Sequence, residues 1–228
     1  MNIWGDRVNY IKSNNKIFIE KNGITTASLI GHESIYLYLF LYTKRNLNGE
    51  VTISIKQIKS EINIRGFTKN KAILDKLIVL KKYNLISFDG DKFKLNDIIK
   101  IKIPEIKQYE KIPINLINEN INEIGSIGIA IIMLLAKLHN KEKGYCNPSY
   151  EYIAHMLGIS KKTTITYINK LEEIGLLKRE VSEIINTYDD EGIAMLTRYT
   201  NKYKLKYITD KRSRYYINKK QNKKIENQ

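Results

Sequence analysis

The sequence predicts a mainly α chain with small β-hairpins, a fold of the α+β class in which one helical layout occurs twice. Three observations predict it. Apolar residues recur at helical spacing over residues 55–83 and again over 153–174. Both blocks run straight into a short strand-forming segment, and Asn-Gly, Asp-Gly, Pro or Gly stands where elements must stop.

Taken in order, Ile17, Phe18 and Ile19 followed by Asn22-Gly23 read as a short hairpin, because Asn-Gly accepts the positive backbone angles of a two-residue turn. The run Ile35 to Tyr42 is apolar on nearly every face, as a helix buried on most sides would be, although a strand could carry the same run. Val51-Thr52-Ile53 alternates as a brief strand, and Ile55, Ile58 and Ile62 take up helical spacing. A longer helix is predicted from about Thr68 to Tyr83, with Ile73, Leu77 and Leu80 as its main stripe. Leu85 to Phe88, Asp89-Gly90 and Lys92 to Leu95 then read as strand, turn and strand. From Asp97 to Ile117, Pro104 and Pro113 interrupt any clean period, which marks a linker leading into a strand or helix start.

The second half repeats the first. Ile127 to Leu138 is a strongly apolar helix, and Pro148-Ser149 opens another, since Pro suits a helix start and Ser can accept the unpaired amides there. That helix ends at Leu157-Gly158. Ser160 then caps a helix from Lys161 to about Ile174, with Gly175 as its left-handed stop. Ile58, Ile62 and Ile64 overlay Ile153, Leu157 and Ile159, and Leu74, Leu77, Leu80 and Leu85-Ile86 overlay Ile165, Ile168, Leu171 and Leu176-Leu177. The offset drops from 95 to 91 between these blocks, so the first copy has four extra turn residues around Arg65 to Thr68. The organisation that follows is an N-terminal extension over 1–30 with its hairpin, a first domain over 31–103, a linker over 104–117, a second domain over 118–208 and a basic tail over 209–228.

Charge narrows the partner. The 228 residues carry 39 Lys and Arg against 24 Asp and Glu, a net charge of +15, and the two halves divided at Glu105 carry +8 and +7. An excess spread over both halves points to a polyanion rather than to a tail alone, although Lys-, Ile-, Asn- and Tyr-rich composition also arises from AT-rich coding. The single cysteine, Cys146, fits a reducing compartment. Neither a membrane-length apolar run nor a signal-peptide pattern is read, so the expected location is the cytoplasm, with no membrane partner.

The stretch Pro148 to Leu177 carries the chemistry. Small Ala154 lets two helices approach, Gly158 permits a tight turn, and Ile159 fills the angle between them, which is the logic of a helix-turn-helix. On the second helix, Thr164, Ile168 and Leu171 form the inner face, leaving Lys161, Lys162, Thr163, Thr166, Tyr167 and Lys170 to face out. Amines and hydroxyls at a helix start are what gripping phosphate and reading base edges require, and Ser149 at the start of the preceding helix joins them. The alternative is a helical hairpin with a merely solvated face. Lys178 to Val181 and Thr197 to Lys206 read as a hairpin whose Arg198, Lys202 and Lys204 can meet phosphate. Its tip, Asp189-Asp190-Glu191, would be repelled by a phosphate backbone and is expected to point away from it or to contact a protein.

The block Asn147 to Leu177, with the return strand Thr200 to Leu205, resembles the winged-helix domains of plasmid and phage replication initiators and replisome organisers of low-GC Gram-positive bacteria. The resemblance implies two tandem winged helix-turn-helix domains, mainly α with small β-hairpin wings, that bind repeated origin sites in double-stranded DNA, one unit serving dimerisation, with replisome proteins as further partners. Two departures stand against it: the acidic wing tip, and the lack of a helicase-loader region after Leu205. In the first domain, Leu74, Ile78 and Val79 widen the apolar face of the helix over 68–83 into a candidate homodimer surface, while Lys69, Asn70, Lys71 and Lys76 would allow DNA contact instead. The basic tail adds sequence-independent phosphate attraction or is simply solvated. A transcription or partition regulator of a mobile element, or a winged-helix interaction module that binds no DNA, would use the same fold.

Enzymatic readings find no residues to carry them. His32, His139 and His155 form no metal-binding spacing, and no phosphate-cradling Gly-rich loop with Lys-Ser or Lys-Thr is present. Cys146, His139 and His155 are too few and too scattered for a metal. The expectation is a non-enzymatic protein with no cofactor.

Overall fold

The computed structural model describes residues 10–62, 64, 66–90, 92–181, 185–188, 194–198 and 201–209. The chain begins with β1 (Tyr10–Asn14), a 3-10 turn, β2 (Glu20–Lys21), β3 (Ile24–Thr25) and α1 (Thr26–Ile30). Asn22 and Gly23, both at positive φ, turn β2 onto β3 as the Asn-Gly pair dictates. α2 (His32–Lys44) follows, with Ile35 to Leu39, Leu41 and Tyr42 all buried. A helix apolar nearly all round must be covered nearly all round, and α2 accordingly packs on α4, α5 and β1.

β4 (Glu50–Ser54) and α3 (Ile55–Glu61) lead to α4 (Asn70–Lys82). The return strand lies further along than the sequence predicts. β5 (Ile98–Lys102) pairs antiparallel with β4, setting Val51 opposite Ile101 and Ile53 opposite Ile99, and Ser87 bridges Lys102 on the other side of β5. The hairpin expected across Asp89-Gly90 does not form, and Lys92 to Leu95 lie outside any strand. The reason is burial. Ile99 and Ile101 alternate cleanly with exposed Ile98, Lys100 and Lys102, and the core gained by that face outweighs a local turn preference.

The segment read as a linker carries structure of its own. β6 (Tyr109–Pro113) pairs with β1 along its whole length, and α5 (Ile114–Leu138) begins directly after it. By length and composition alone α5 could cross a membrane, contrary to the sequence expectation. Gly125, at φ 58° and ψ −172°, breaks it, however, and Ile129 to Ala136 are buried in the protein core. α6 (Tyr150–Leu157) and α7 (Lys161–Glu173) then lead into β7 (Leu177–Val181), β8 (Ile185–Tyr188), β9 (Ala194–Arg198), β10 (Asn201–Leu205) and α8 (Lys206–Thr209). β7 pairs with β10 and β8 with β9, and Cys146 bridges Tyr203 on the free side of β10. The architecture is thus mixed helix and small antiparallel sheets. Its buried apolar residues form one continuous cluster from Ile11 to Leu205, crossing the segment between the two halves.

The two halves match in detail. α4 and α7 each span 13 residues at an offset of 91. They bury Ile73, Leu77 and Leu80 and, at equivalent positions, Thr164, Ile168 and Leu171. Asn84 and Gly175, also equivalent, both take positive φ just beyond the helix end.

Candidate nucleic-acid interface

The second half of α5, α6 and α7 build the site. Ser149 caps α6, its Oγ accepting the Tyr152 N–H at 3.0 Å, and Ser160 caps α7 by accepting the Thr163 N–H at 3.0 Å. Between the helices, Gly158 sits in the left-handed region at φ 64° and ψ 35°, and its N–H turns back to close α6. A side chain there would also collide with α1: a Cβ at 158 would lie 2.9 Å from the Ser28 Cβ and 3.0 Å from its Cα. Ala154 is buried at the close approach, and Ile159 packs against the core at the turn. The N-terminal segment is a third support, since the Thr25 hydroxyl donates to the Met156 carbonyl at 2.5 Å and His155 lies 3.3 Å from Glu20.

These supports fix which face of α7 is free. Thr164, Ile168 and Leu171 are fully buried, and the Thr164 hydroxyl is satisfied by donating to the Ser160 carbonyl at 3.2 Å. Lys161, Lys162, Thr166 and Asn169 are exposed, and Lys170 is half-exposed. Lys161 pairs with Glu151 on the first turn of α6. The Thr166 hydroxyl donates to the Lys162 carbonyl at 3.0 Å, which leaves its lone pairs as what it offers outward. Besides Lys170, two residues expected to face out do so only in part. Thr163 is half-buried and hydrogen-bonds the Ser160 hydroxyl at 2.8 Å, and Tyr167 is half-buried against the core, because its ring gains more from packing than from solvent.

The hairpin beyond α7 is already internally paired. Lys204 Nζ lies 2.8 Å from Glu180 Oε2, and Lys178 lies 3.1 Å from Glu180 Oε1. These two ammonium groups hold the Glu180 carboxyl below the usual carboxylate range. Lys202 lies over the Tyr145 ring, 5.3 Å from its centroid. Arg198 falls on β9. The acidic tip Asp189 to Glu191 and the basic tail from Asp210 lie outside the described residues.

Arg179 escaped the sequence reading. From β7 its Nη1 donates to the Tyr150 hydroxyl at 2.6 Å and to the Asn169 Oδ1 at 3.0 Å, while Nη2 meets the Glu172 carboxylate at 2.9 Å. One guanidinium therefore ties α6, α7 and the hairpin together. No local spacing announces such a residue; the only signal was an arginine entering a strand beside a basic helix.

In the first half, Lys69, Asn70 and Lys71 stand exposed at the start of α4, away from the α7 face in sequence but equivalent to it in layout. The apolar widening of α4 is turned inward. Leu74 and Val79 pack against the protein's own core, and only Ile78 remains exposed, at 37%. Lys76, another candidate for DNA contact, is bound to Glu33 at 2.9 Å and to the Gly66 carbonyl at 3.0 Å.

Cys146 is a buried residue that forms an isolated bridge to Tyr203, not a reactive thiol. Burial pushes its thiol up to about 12, so no thiolate is available near neutral pH. Among the described residues, no group of three or more His, Cys, Asp or Glu gathers as a metal would require.

None of the curated proteins compared with the chain matches it. A family model does match: residues 123–177, from just before the break in α5 to the first residue of β7, fit the family described as a helix-turn-helix domain. The matched segment contains α6, the Gly158 turn and α7 entire, so this part of the chain is similar to a helix-turn-helix domain, the kind of unit that binds DNA.

Proposed function

We propose that this protein is a non-enzymatic, cytoplasmic, sequence-specific binder of double-stranded DNA that initiates replication of a plasmid or phage at repeated origin sites. The observation that carries the DNA-binding part is the state of α7. Three buried residues anchor it in the core, while Lys161, Lys162, Thr166 and Asn169 project from the opposite side of a helix-turn-helix unit. A helix so held enters the major groove, with cations for phosphate and short polar side chains for base edges.

The tandem arrangement rests on a shared strand order. In the first half β4 pairs with β5, which is bridged by Ser87 directly after α4; in the second, Cys146 pairs with β10, which pairs with β7 directly after α7. Together with the equivalent burial on α4 and α7, this supports reading the first half as a second winged helix. Two units with exposed lysines suit adjoining or repeated DNA elements, which favours an origin over a single operator. A homodimer and contacts with replisome proteins belong to the same reading.

Footprinting on the DNA carrying its own gene tests it. Protection of several direct repeats, with affinity falling steeply as salt rises, is the expected result. One protected operator would make the protein a transcription or partition regulator, and salt-insensitive or absent binding would refute DNA recognition altogether.

A further inference from the structure

We propose that Asn169 is a specificity-determining residue that reads a purine N7 in the major groove, and that Arg179 is the positioning residue that sets the sense of its amide. This deepens the DNA-binding reading of α7 and rests on it.

The argument starts from donor chemistry. A guanidinium has only donors, so the Asn169 atom 3.0 Å from Arg179 Nη1 must be the carbonyl oxygen Oδ1. The amide is thereby oriented without ambiguity, and its Nδ2 donors turn away from Arg179. Arg179 cannot readily swing aside, because the Tyr150 hydroxyl at 2.6 Å and the Glu172 carboxylate at 2.9 Å hold the same guanidinium from two other elements. The Glu172 carboxylate also accepts the Arg179 backbone N–H at 3.2 Å, which fixes the strand as well as the side chain.

Placement supplies the second step. Lys162, Thr166 and Asn169 follow the i, i+4, i+7 spacing of one helix face, and all three are exposed. Along that line the chemistry alternates: an ammonium, then a hydroxyl whose proton is spent on the Lys162 carbonyl, then an amide whose donors meet no partner among the described residues. One turn on, exposed Glu173 ends the stretch, while the nearer Glu172 is neutralised by Arg179. A preset donor facing the groove seeks an acceptor on a base edge, and N7 is the acceptor that both purines present there. Orienting the amide in advance removes the cost of freezing it on binding and denies the flipped sense, in which Oδ1 would face the base.

The test uses the full chain and duplexes chosen by selection from random sequence. Asn169→Asp keeps the partner for Arg179 but has no donor, so it should lose purine preference at one position of the selected site. Replacing the purine there by its 7-deaza analogue should weaken wild-type binding roughly three- to tenfold, the worth of one hydrogen bond, and leave the N169D variant unaffected. Arg179→Lys should blur the same position and reduce the 7-deaza effect while Lys162-dependent affinity persists. Unchanged base preference in N169D, or no purine at which the 7-deaza analogue weakens wild-type binding, overturns the assignment while leaving DNA binding intact. If the wild-type chain shows no salt-dependent duplex binding, both fall together.

Discussion

Replacing Gly158 by Ala probes how the helix-turn-helix is held. The native backbone there is left-handed, which costs a residue with a Cβ about 1–2 kcal/mol. The added methyl would also lie 2.9 Å from the Ser28 Cβ, 3.0 Å from its Cα and 3.2 Å from its carbonyl oxygen, so α1 must move or the turn must open. Overpacking of that kind adds about 1–3 kcal/mol, for a total loss of about 2–5 kcal/mol against a typical domain stability of about 5–15 kcal/mol. Urea denaturation followed by circular dichroism reads the loss directly. Gly158→Asn separates the two contributions, because Asn tolerates the left-handed region yet keeps the Cβ; it should retain the steric cost and shed most of the backbone cost. The double variant with Ser28→Gly should be less destabilised than the sum of the singles, because one of the three close atoms is gone. A G158A loss below about 0.5 kcal/mol, the range of an ordinary surface change, or strict additivity with S28G, would refute the claim that α1 buttresses the turn.

Three further outcomes follow. Changing Lys162 and Thr166 to Ala should weaken specific duplex binding by about 1–3 kcal/mol for each side chain that reads a base edge, measured by fluorescence anisotropy, with the unfolding midpoint unchanged; Tyr167 is left out because its half-buried ring would confound stability with recognition. Glu151→Gln should free Lys161 from its carboxylate partner, raising duplex affinity at low salt and steepening the salt dependence by about one phosphate contact, and an unaltered salt slope would show that Lys161 lies off the DNA path. His32, whose pKa burial holds below the ordinary 6.5 and whose Nδ1 lies 2.8 Å from the Ser126 hydroxyl, is favoured neutral in the native state. The unfolded chain therefore takes up the proton first, so its contribution to stability is complete above about pH 6.5 and is lost as pH falls through that value toward the native pKa. Melting temperatures at pH 7.5 and 5 should differ less in His32→Gln than in wild type; equal differences would sink the assignment.

What the sequence made legible was local. The caps Ser149 and Ser160, the turn at Gly158 and the buried triad Thr164, Ile168 and Leu171 are set by neighbours within a few residues, and spacing alone reveals them. The alignment of the two halves was legible for the same reason, since helix faces repeat with their own period. Pairings across the chain were not. β5 competes for β4 over a separation that no turn motif spans, and Asp89-Gly90 suggested a nearer partner that loses on buried area. β1 and β6 are short and carry few apolar residues, so neither shows a clear alternation until they are set side by side. At the site, no local spacing singles out Asn169, and only the long-range approach of Arg179 gives its amide a direction. Lys204, expected to be available to phosphate, is met instead by Glu180 from the facing strand, a partner that the alternation of its own strand does not reveal.

The attachment of residues 10–30 governs how the chain can mature. β1 has no partner until β6 has been made, and the Thr25 hydroxyl finds its acceptor only at Met156, 131 positions later. During synthesis on a ribosome β1 must wait for β6, and Thr25 for Met156, while the intervening chain emerges. Contacts of such separation are slow to close and leave strand edges available to neighbours meanwhile. Detaching residues 1–30 should therefore expose apolar surface on α6 and the flank of α5, and the shortened product should aggregate even though every residue of its groove-facing helix is intact.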